Sequence, residues 1–348
     1  MKEYDIVFIT HLPSFYKTNL YNKISKRQKI YVIFVANGSI IRNKDFLGRE
    51  NEFDFIILNK GVFEKRNKIN SFLKTIGILL KLKYKRVIVG GWDLLEFWAP
   101  LLINNKTKNM VVVESTINEY KQSWFKYFLK KLFISRVSCA FCSGKPHVEL
   151  IRHLGFTGDV KVTKGVGLIN YNKFEGMQHN WYDGFTGSFV YVGRLSPEKG
   201  LVFLLDFFRK HPEYNITICG DGPLYDYLDK NKTDNVIIKG YLNNKEIIPE
   251  IQKADVFILP SYSEPWGLVV EESIIAGVPV ICSSVVGCSS DLVQDMNFGT
   301  TFSAGDEESL MVAVMYVKDN YALLRDNIRN SNIYEKNREH QVSMYDEE

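Results

Sequence analysis

Apolar residues recur along this chain in two alternating patterns. Short β-rich runs, such as Ile6-Val-Phe-Ile9 and Val256-Phe-Ile-Leu259, are apolar at successive positions, and longer stretches at helical spacing lie between them. Strands buried on both faces read this way, so the alternation predicts parallel sheets with crossover helices. The first half carries predicted strands at Asp5–Thr10, Tyr31–Val35, Phe55–Leu58, Arg86–Val89, Met110–Val113 and Val137–Cys142. The second carries them at Ser188–Val192, Asn215–Cys219, Val236–Lys239, Val256–Leu259 and Val280–Cys282. Helices are predicted over Lys17–Lys26, Ile69–Leu82, Gln122–Phe133, Val148–Leu154, Leu201–Arg209, Leu224–Asp229, Lys245–Ile251, Trp266–Ala276 and Glu307–Val317, with further helix beyond Asp306. Between the halves, Asn172–Gly187 shifts toward Gly, Asn and polar residues and reads as a linker.

The length of 348 residues suffices for two domains with their own cores. Apolar content is 45% and charged content 24%, the composition of an ordinary globular protein. No run of 18 apolar residues exists, so no transmembrane helix is expected. Met1-Lys-Glu-Tyr-Asp-Ile-Val-Phe-Ile-Thr10 reads as a first strand, without the basic start and cleavage site of a signal peptide. Five cysteines without paired spacing argue for a reducing cytosol. Cys139 and Cys142 fall inside an apolar run, which favours buried residues over a redox or metal pair.

Strand-end loops carry the candidate chemistry of the second half, because ligands of such sheets sit beyond the carboxyl ends of the strands. The loop after Ser188–Val192 holds Gly193, Arg194 and Lys199 at a helix entrance. Two cations there can hold a diphosphate, Arg194 by a two-pronged contact. Glycine at 193 and again at 220 lets backbone approach a ligand. Tyr241 and Leu242 follow the next strand. In Ser263-Glu-Pro-Trp-Gly-Leu-Val-Val-Glu-Glu, Glu264 precedes a helix start and Glu272 lies two turns inside the predicted helix. A helix N-terminus offers N–H groups and partial positive charge to phosphate. Flanking carboxylates can accept hydrogen bonds from sugar hydroxyls. Glu271, outside that spacing, reads as the solvent-facing carboxylate of the helix.

In order and spacing, Gly193-Arg194-Leu195 with Lys199-Gly200, Gly220-Asp-Gly-Pro223, Gly240, Leu259-Pro-Ser261, Glu264-Pro-Trp-Gly-Leu268, Glu272 and Gly277-Val-Pro-Val280 resemble the C-terminal domain of glycosyltransferase family 4. The resemblance spans roughly residues 188–310. It implies an α/β protein of GT-B fold, with two Rossmann-like domains whose parallel sheets face a central cleft. An N-terminal acceptor-binding domain would cover 1–170, a nucleotide-sugar-binding domain 188–330, and residues 331–348 would form a tail returning to the first domain. Arg194 and Lys199 look like the cations on the donor diphosphate, Glu264 the carboxylate on the donor sugar, and Glu272 the ribose ligand. Trp266, Gly267 and Leu268 look like part of the donor site, with the N–H groups of Gly267 and Leu268 on sugar or phosphate. Gly193 and Gly220 belong to the same site, and Tyr241 and Leu242 would flank the base. The family retains anomeric configuration and works without a metal or other cofactor, and no Asp-x-Asp pair is present. UDP- and GDP-linked donors both fit. The resemblance extends to bacterial O-antigen and capsule transferases, whose acceptors are saccharides, here expected on a lipid diphosphate at the inner face of the cell membrane.

The first half resembles the family less. His11 and Tyr16 follow the first strand, Trp92 and Asp93 follow Arg86–Val89, and all four are candidates for acceptor or sugar contact. Glu114, at the next strand end, stands where relatives often carry a histidine or acid beside the reacting sugar. Residues 1–165 hold 29 Lys+Arg against 13 Asp+Glu, and residues 166–348 hold 15 against 27. That is +16 against −12, and a basic half suits an anionic surface or simply a solvated one. In Lys121–Phe133, Trp124, Phe128 and Leu132 share a helical stripe fringed by Lys121, Lys126, Lys130 and Lys131. Such a helix either lies in a membrane interface or buries its stripe in a core. Two other classes are weighed against an enzyme. A non-catalytic nucleotide-sugar-binding protein would be expected to have lost part of the Arg194, Lys199, Glu264 and Glu272 set. A nucleic-acid binder would need a motif, and none is present.

Overall fold

The computed structural model describes residues 2–40, 47–48, 51–119, 123–170, 184–243 and 245–346. Most of the predicted linker, and Lys121 and Gln122, lie outside the described residues. Two compact units are present: Met1–Asn170 with Asn337–Glu348, and Tyr171–Lys336.

The first unit contains β1 (Glu3–Thr10), α1 (Phe15–Ser25), β2 (Ile30–Gly38), β3 (Asp54–Val62), α2 (Lys68–Lys81), β4 (Lys83–Val89), α3 (Leu95–Ile103), β5 (Asn109–Val113), α4 (Trp124–Ser135), β6 (Cys139–Cys142), α5 (Lys145–His153) and β7 (Asp159–Val162). Its seven strands form one parallel sheet in the order β3-β2-β1-β4-β5-β6-β7. Side chains of alternate strand positions, such as Val7, Ile9, Val87, Val89, Val111 and Val113, join Leu79 of α2, Phe97 of α3, Phe133 of α4 and Leu150 of α5 in one core. These four helices therefore cover one face. The opposite face meets α1 and the C-terminal segment: Phe8 lies 4.5 Å from Tyr21 and 5.8 Å from Tyr345, whose ring stacks on Phe141 at 4.5 Å. Arg86 and Gln28 both donate to the Tyr345 carbonyl, at 2.6 and 2.7 Å.

The second unit contains β8 (Ser188–Val192), α6 (Leu201–Lys210), β9 (Asn215–Cys219), α7 (Tyr225–Asn231), β10 (Val236–Gly240), α8 (Ile247–Ile251), β11 (Val256–Leu259), α9 (Leu268–Ile275), β12 (Val280–Ser283), β13 (Gly299–Phe302), α10 (Glu307–Asp319) and α11 (Tyr321–Ser331). A last helix, α12 (Ile333–Ser343), runs through the boundary between the units. The six strands are parallel in the order β10-β9-β8-β11-β12-β13. This is the doubly wound Rossmann order, and it reverses between β8 and β11.

All eleven predicted strands and nine predicted helices are present, most with ends moved by a residue or two. Among the described strands and α-helices, three were not foreseen. The α3 sequence Leu-Glu-Phe-Trp-Ala-Pro-Leu-Leu-Ile holds one charge and an internal Pro100, which hides any helical period. β7, Asp-Val-Lys-Val, and β13, Gly-Thr-Thr-Phe, lack the apolar run that marks the equally short β6, β11 and β12. Cys139 and Cys142 are buried in β6, and burial, with the neighbouring Cys139, pushes the Cys142 thiol up to about 12.

Candidate functional site

In the second unit the sheet order reverses between β8 and β11, and the loops leaving these two strands supply the central residues. After β8, Gly193 N–H bonds the Cys219 carbonyl at 3.0 Å and Leu195 N–H the Asp221 carbonyl at 2.9 Å. The first loop is thus laced to the glycine turn after β9. Glycine is required there: Gly220 has φ +147° and Gly222 φ +154°, and a Cβ on Gly220 would stand 1.8 Å from the Gly193 carbonyl oxygen. Gly220 therefore serves close packing of two loops. The Tyr191 hydroxyl donates to the Arg194 carbonyl at 2.9 Å. Burial and the charges of Glu264 and Glu198 hold the Tyr191 phenol well above its ordinary range, so it stays a donor. Arg194 is exposed on this brace.

Lys199 reaches across to the loop after β11. Its Nζ pairs with Glu264 Oε2 at 2.5 Å, with side chains 16% and 17% exposed. A mostly buried, mutually neutralising pair at a switch point is pre-oriented for a ligand carrying both negative charge and hydroxyls. Behind it, Glu198 is held below its usual value. Burial works the other way, but the Ser196 hydroxyl and the charges of Lys199 and Arg194 prevail. The Glu264 loop is itself clamped: Gly287 N–H bonds the Glu264 carbonyl at 2.9 Å and Cys288 N–H the Trp266 carbonyl at 3.1 Å.

Helix α9 starts at Leu268, two residues later than predicted, because Gly267 is left-handed at φ +98° and ends the extended loop. The N–H groups of its first turn have no carbonyl four residues earlier within the helix. Glu272 is consequently one turn inside, not two, and is buried. Glu271 is 1% exposed, which corrects its reading as the solvent-facing carboxylate. The eight-residue helix packs on β11, β12 and α8, and of its residues Leu268 and Val269 alone are partly exposed. Trp266 is buried, so its ring fixes the loop and its backbone borders the seat. Leu242 is half-buried and Tyr241 exposed after β10.

In the first unit the reversal lies between β1 and β4. His11 Nε2 meets Asp93 Oδ2 at 3.0 Å, joining the two strand-end loops at that point. Phe97 presses the His11 ring edge-on at 5.0 Å. Burial works to raise the Asp93 pKa, but the hydrogen bond and charge of His11, with Arg66 beyond, hold it below its usual value. Trp92 is half-buried, and Lys130 Nζ lies 5.1 Å over its ring. At the end of β5, Glu114 is ion-paired to Lys17 of α1, which is almost wholly buried. Tyr16 presents its carbonyl to Leu168 N–H at 2.9 Å, against Gly167, where φ is +145°.

Two contributors escaped the sequence reading. Lys17 and the buried Arg66–Glu96 pair involve partners 97 and 30 residues apart, and nothing local signals such contacts. Among the described residues no group of three or more His, Cys, Asp or Glu is placed to hold a metal ion. No described helix is long and apolar enough to cross a membrane.

Residues 186–335 match the family model described as glycosyl transferases group 1. An uncharacterized 41.2 kDa protein of the cps region of Klebsiella pneumoniae is 34% identical over 290 residues, 74% of this chain and 80% of that one. The chain belongs to the group 1 glycosyl transferases. Other relatives match over less: the glycogen synthase of Mycobacterium tuberculosis is 32% identical over 142 residues, and the match spans only 34% of its length. Two solved structures superpose on nearly all of this family member. The lipopolysaccharide outer core galactosyltransferase WaaB, apo form, gives a TM-score of 0.68 at 16% identity, covering 97% of this chain and 99% of that one. Anabaena Alr3699/HepE in complex with UDP gives 0.67 at 14%, covering 97% and 100%. With its two parallel Rossmann-like sheets, this transferase-family chain has the GT-B fold.

Proposed function

We propose that this chain is a retaining glycosyltransferase that moves a sugar from a nucleoside-diphosphate sugar to a saccharide acceptor in surface-polysaccharide synthesis. The Lys199–Glu264 pair at the β8/β11 reversal carries this reading. A nucleotide-sugar has both partners that the pair needs, a diphosphate for the ammonium and hydroxyls for the carboxylate. Arg194 and Lys199 would neutralise the diphosphate as the anomeric bond breaks and its electron pair passes to the leaving phosphate. The acceptor hydroxyl oxygen would bond to the anomeric carbon on the same face and give its proton to that phosphate. No metal or other cofactor is needed in this scheme, because fixed cations take the charge. Glu272 would hold the ribose, the first turn of α9 a phosphate or sugar oxygen, and Tyr241 and Leu242 the base. Glu114, His11, Tyr16, Trp92 and Asp93 are assigned to the acceptor or the transferred sugar.

The polysaccharide context is supported by the Klebsiella relative from a cps region, and the diphosphate donor by the UDP in the Anabaena structure. A lipid diphosphate as the acceptor's carrier, and work at the cytoplasmic face of the membrane, complete the reading. A non-catalytic nucleotide-sugar binder would bind donor without turnover.

Calorimetric titration against UDP- and GDP-sugars, with and without metal chelator, tests the donor site on wild type, Lys199→Ala and Glu272→Ala. One nucleotide family should bind wild type equally with chelator, and both variants should weaken it at least tenfold. Binding unchanged in both variants would overturn the assignment of the site. Nucleotide release too slow to exceed spontaneous hydrolysis, whatever saccharide is added, would favour the binder.

A further inference from the structure

Helix α4 carries large apolar side chains on its outer side as well as its inner one. Trp124, Phe125, Phe128 and Leu132 are all exposed, Trp124 by 84%. At about 100° per residue the four span an arc of about 100° on one side of the helix. The buried Phe133 and Ile134 occupy the other side and face the sheet. The apolar stripe therefore points away from the core. Lys131 borders it, and Lys126 is exposed further round. Helix α2, on the same face of the sheet, adds the exposed Ile69, Leu73 and Leu80 beside Lys68 and Lys81. A run of large exposed apolar side chains bordered by lysine, as on α4, marks a binding face.

We infer that α4 seats its Trp124–Leu132 stripe in the headgroup layer of an anionic bilayer, with Lys131 on a lipid phosphate. Charge selects this occupant. The first 165 residues carry +16, so a second copy docking by this same face would bring like charge against like, whereas an anionic leaflet attracts it. The residue types agree: Trp and Lys are those that favour the membrane interface. Placement agrees too, since α4 follows the β5 loop that carries Glu114, and Lys130 holds Trp92, the neighbour of Asp93. A docked α4 thus brings the acceptor-side loops to the lipid surface. What the docking serves rests on the proposed function; the docking itself does not, and donor titration in solution reads that function separately.

Flotation of the full chain with phosphatidylcholine vesicles, pure or mixed with phosphatidylglycerol, tests the inference. Wild type should float with the anionic vesicles only and be released by high salt. Lys131→Gln should weaken that binding about fivefold. Trp124→Ser/Phe128→Ser should abolish it, with unchanged circular dichroism showing that α4 still folds. Wild type left unbound, or both variants floating like wild type, would overturn the inference. So would equal binding to both vesicle types. Self-association that Trp124→Ser abolishes, without vesicle binding, would give the face to a second copy instead.

Discussion

Arg66 and Glu96 meet at 2.9 Å with side chains 4% and 0% exposed, beneath the Phe63 ring on which the guanidinium lies at 4.0 Å. Removing one partner of a buried pair leaves the other charge uncompensated. Glu96→Ala should cost about 3–5 kcal/mol, read as a lowered urea midpoint. Burial tends to raise the Glu96 pKa, but Arg66 and Ser71 prevail and hold it below the usual value. A carboxylate with a depressed folded pKa adds stability above its unfolded pKa and loses it as pH falls below. Wild type should therefore lose this contribution below about pH 4.3, and Glu96→Gln should show a flatter acid limb in the same titration. The sequence showed neither partner as a pair. It did show Lys199 and Glu264, because both sit in strand-end loops whose composition is legible without the fold. It could not show that they touch, nor that Lys17 would reach Glu114.

At the scale of elements, the loops around β8 are as constrained as the strands. Gly220→Ala would place a methyl against the Gly193 carbonyl at a φ that L residues rarely adopt. The backbone strain alone is about 1–3 kcal/mol, so the second unit should melt lower and donor affinity should fall together with it. A melting curve and a titration on one sample check both; loss of affinity with unchanged melting would mean that Gly220 touches ligand and does not merely pack. Long periodic elements were readable from pattern because each buries a face of its own. α3 was not, since its helix is apolar nearly all round, and β7 and β13 were not, since polar residues break the apolar run that marks the other four-residue strands. Glu271 differs for a related reason: helical spacing shows which residues share a face, but not that neighbouring strands and a helix bury nearly all of a short helix.

The largest-scale feature is that the first unit is discontinuous, ending with Asn337–Glu348. Tyr345 is buried against Phe8 and Phe141, and Gln341 Oε1 accepts from Gly167 N–H at 3.1 Å. Tyr345→Ala should cost about 3–5 kcal/mol, as other buried aromatic truncations do, and hydrogen exchange should place the loss on β1 and β6 while β8–β13 keep their protection. Protection lost equally in both units would contradict it.

That discontinuity sets a clock on synthesis. A ribosome adds about 5–20 residues per second, so the residues of the second unit, 171–336, occupy it for roughly 8–33 s before the closing helix of the first is translated. For that interval Phe8 and Phe141 lack the Tyr345 ring. The nascent first unit should then be a chaperone client, and slow codons in the second unit's reading frame should lengthen its exposure.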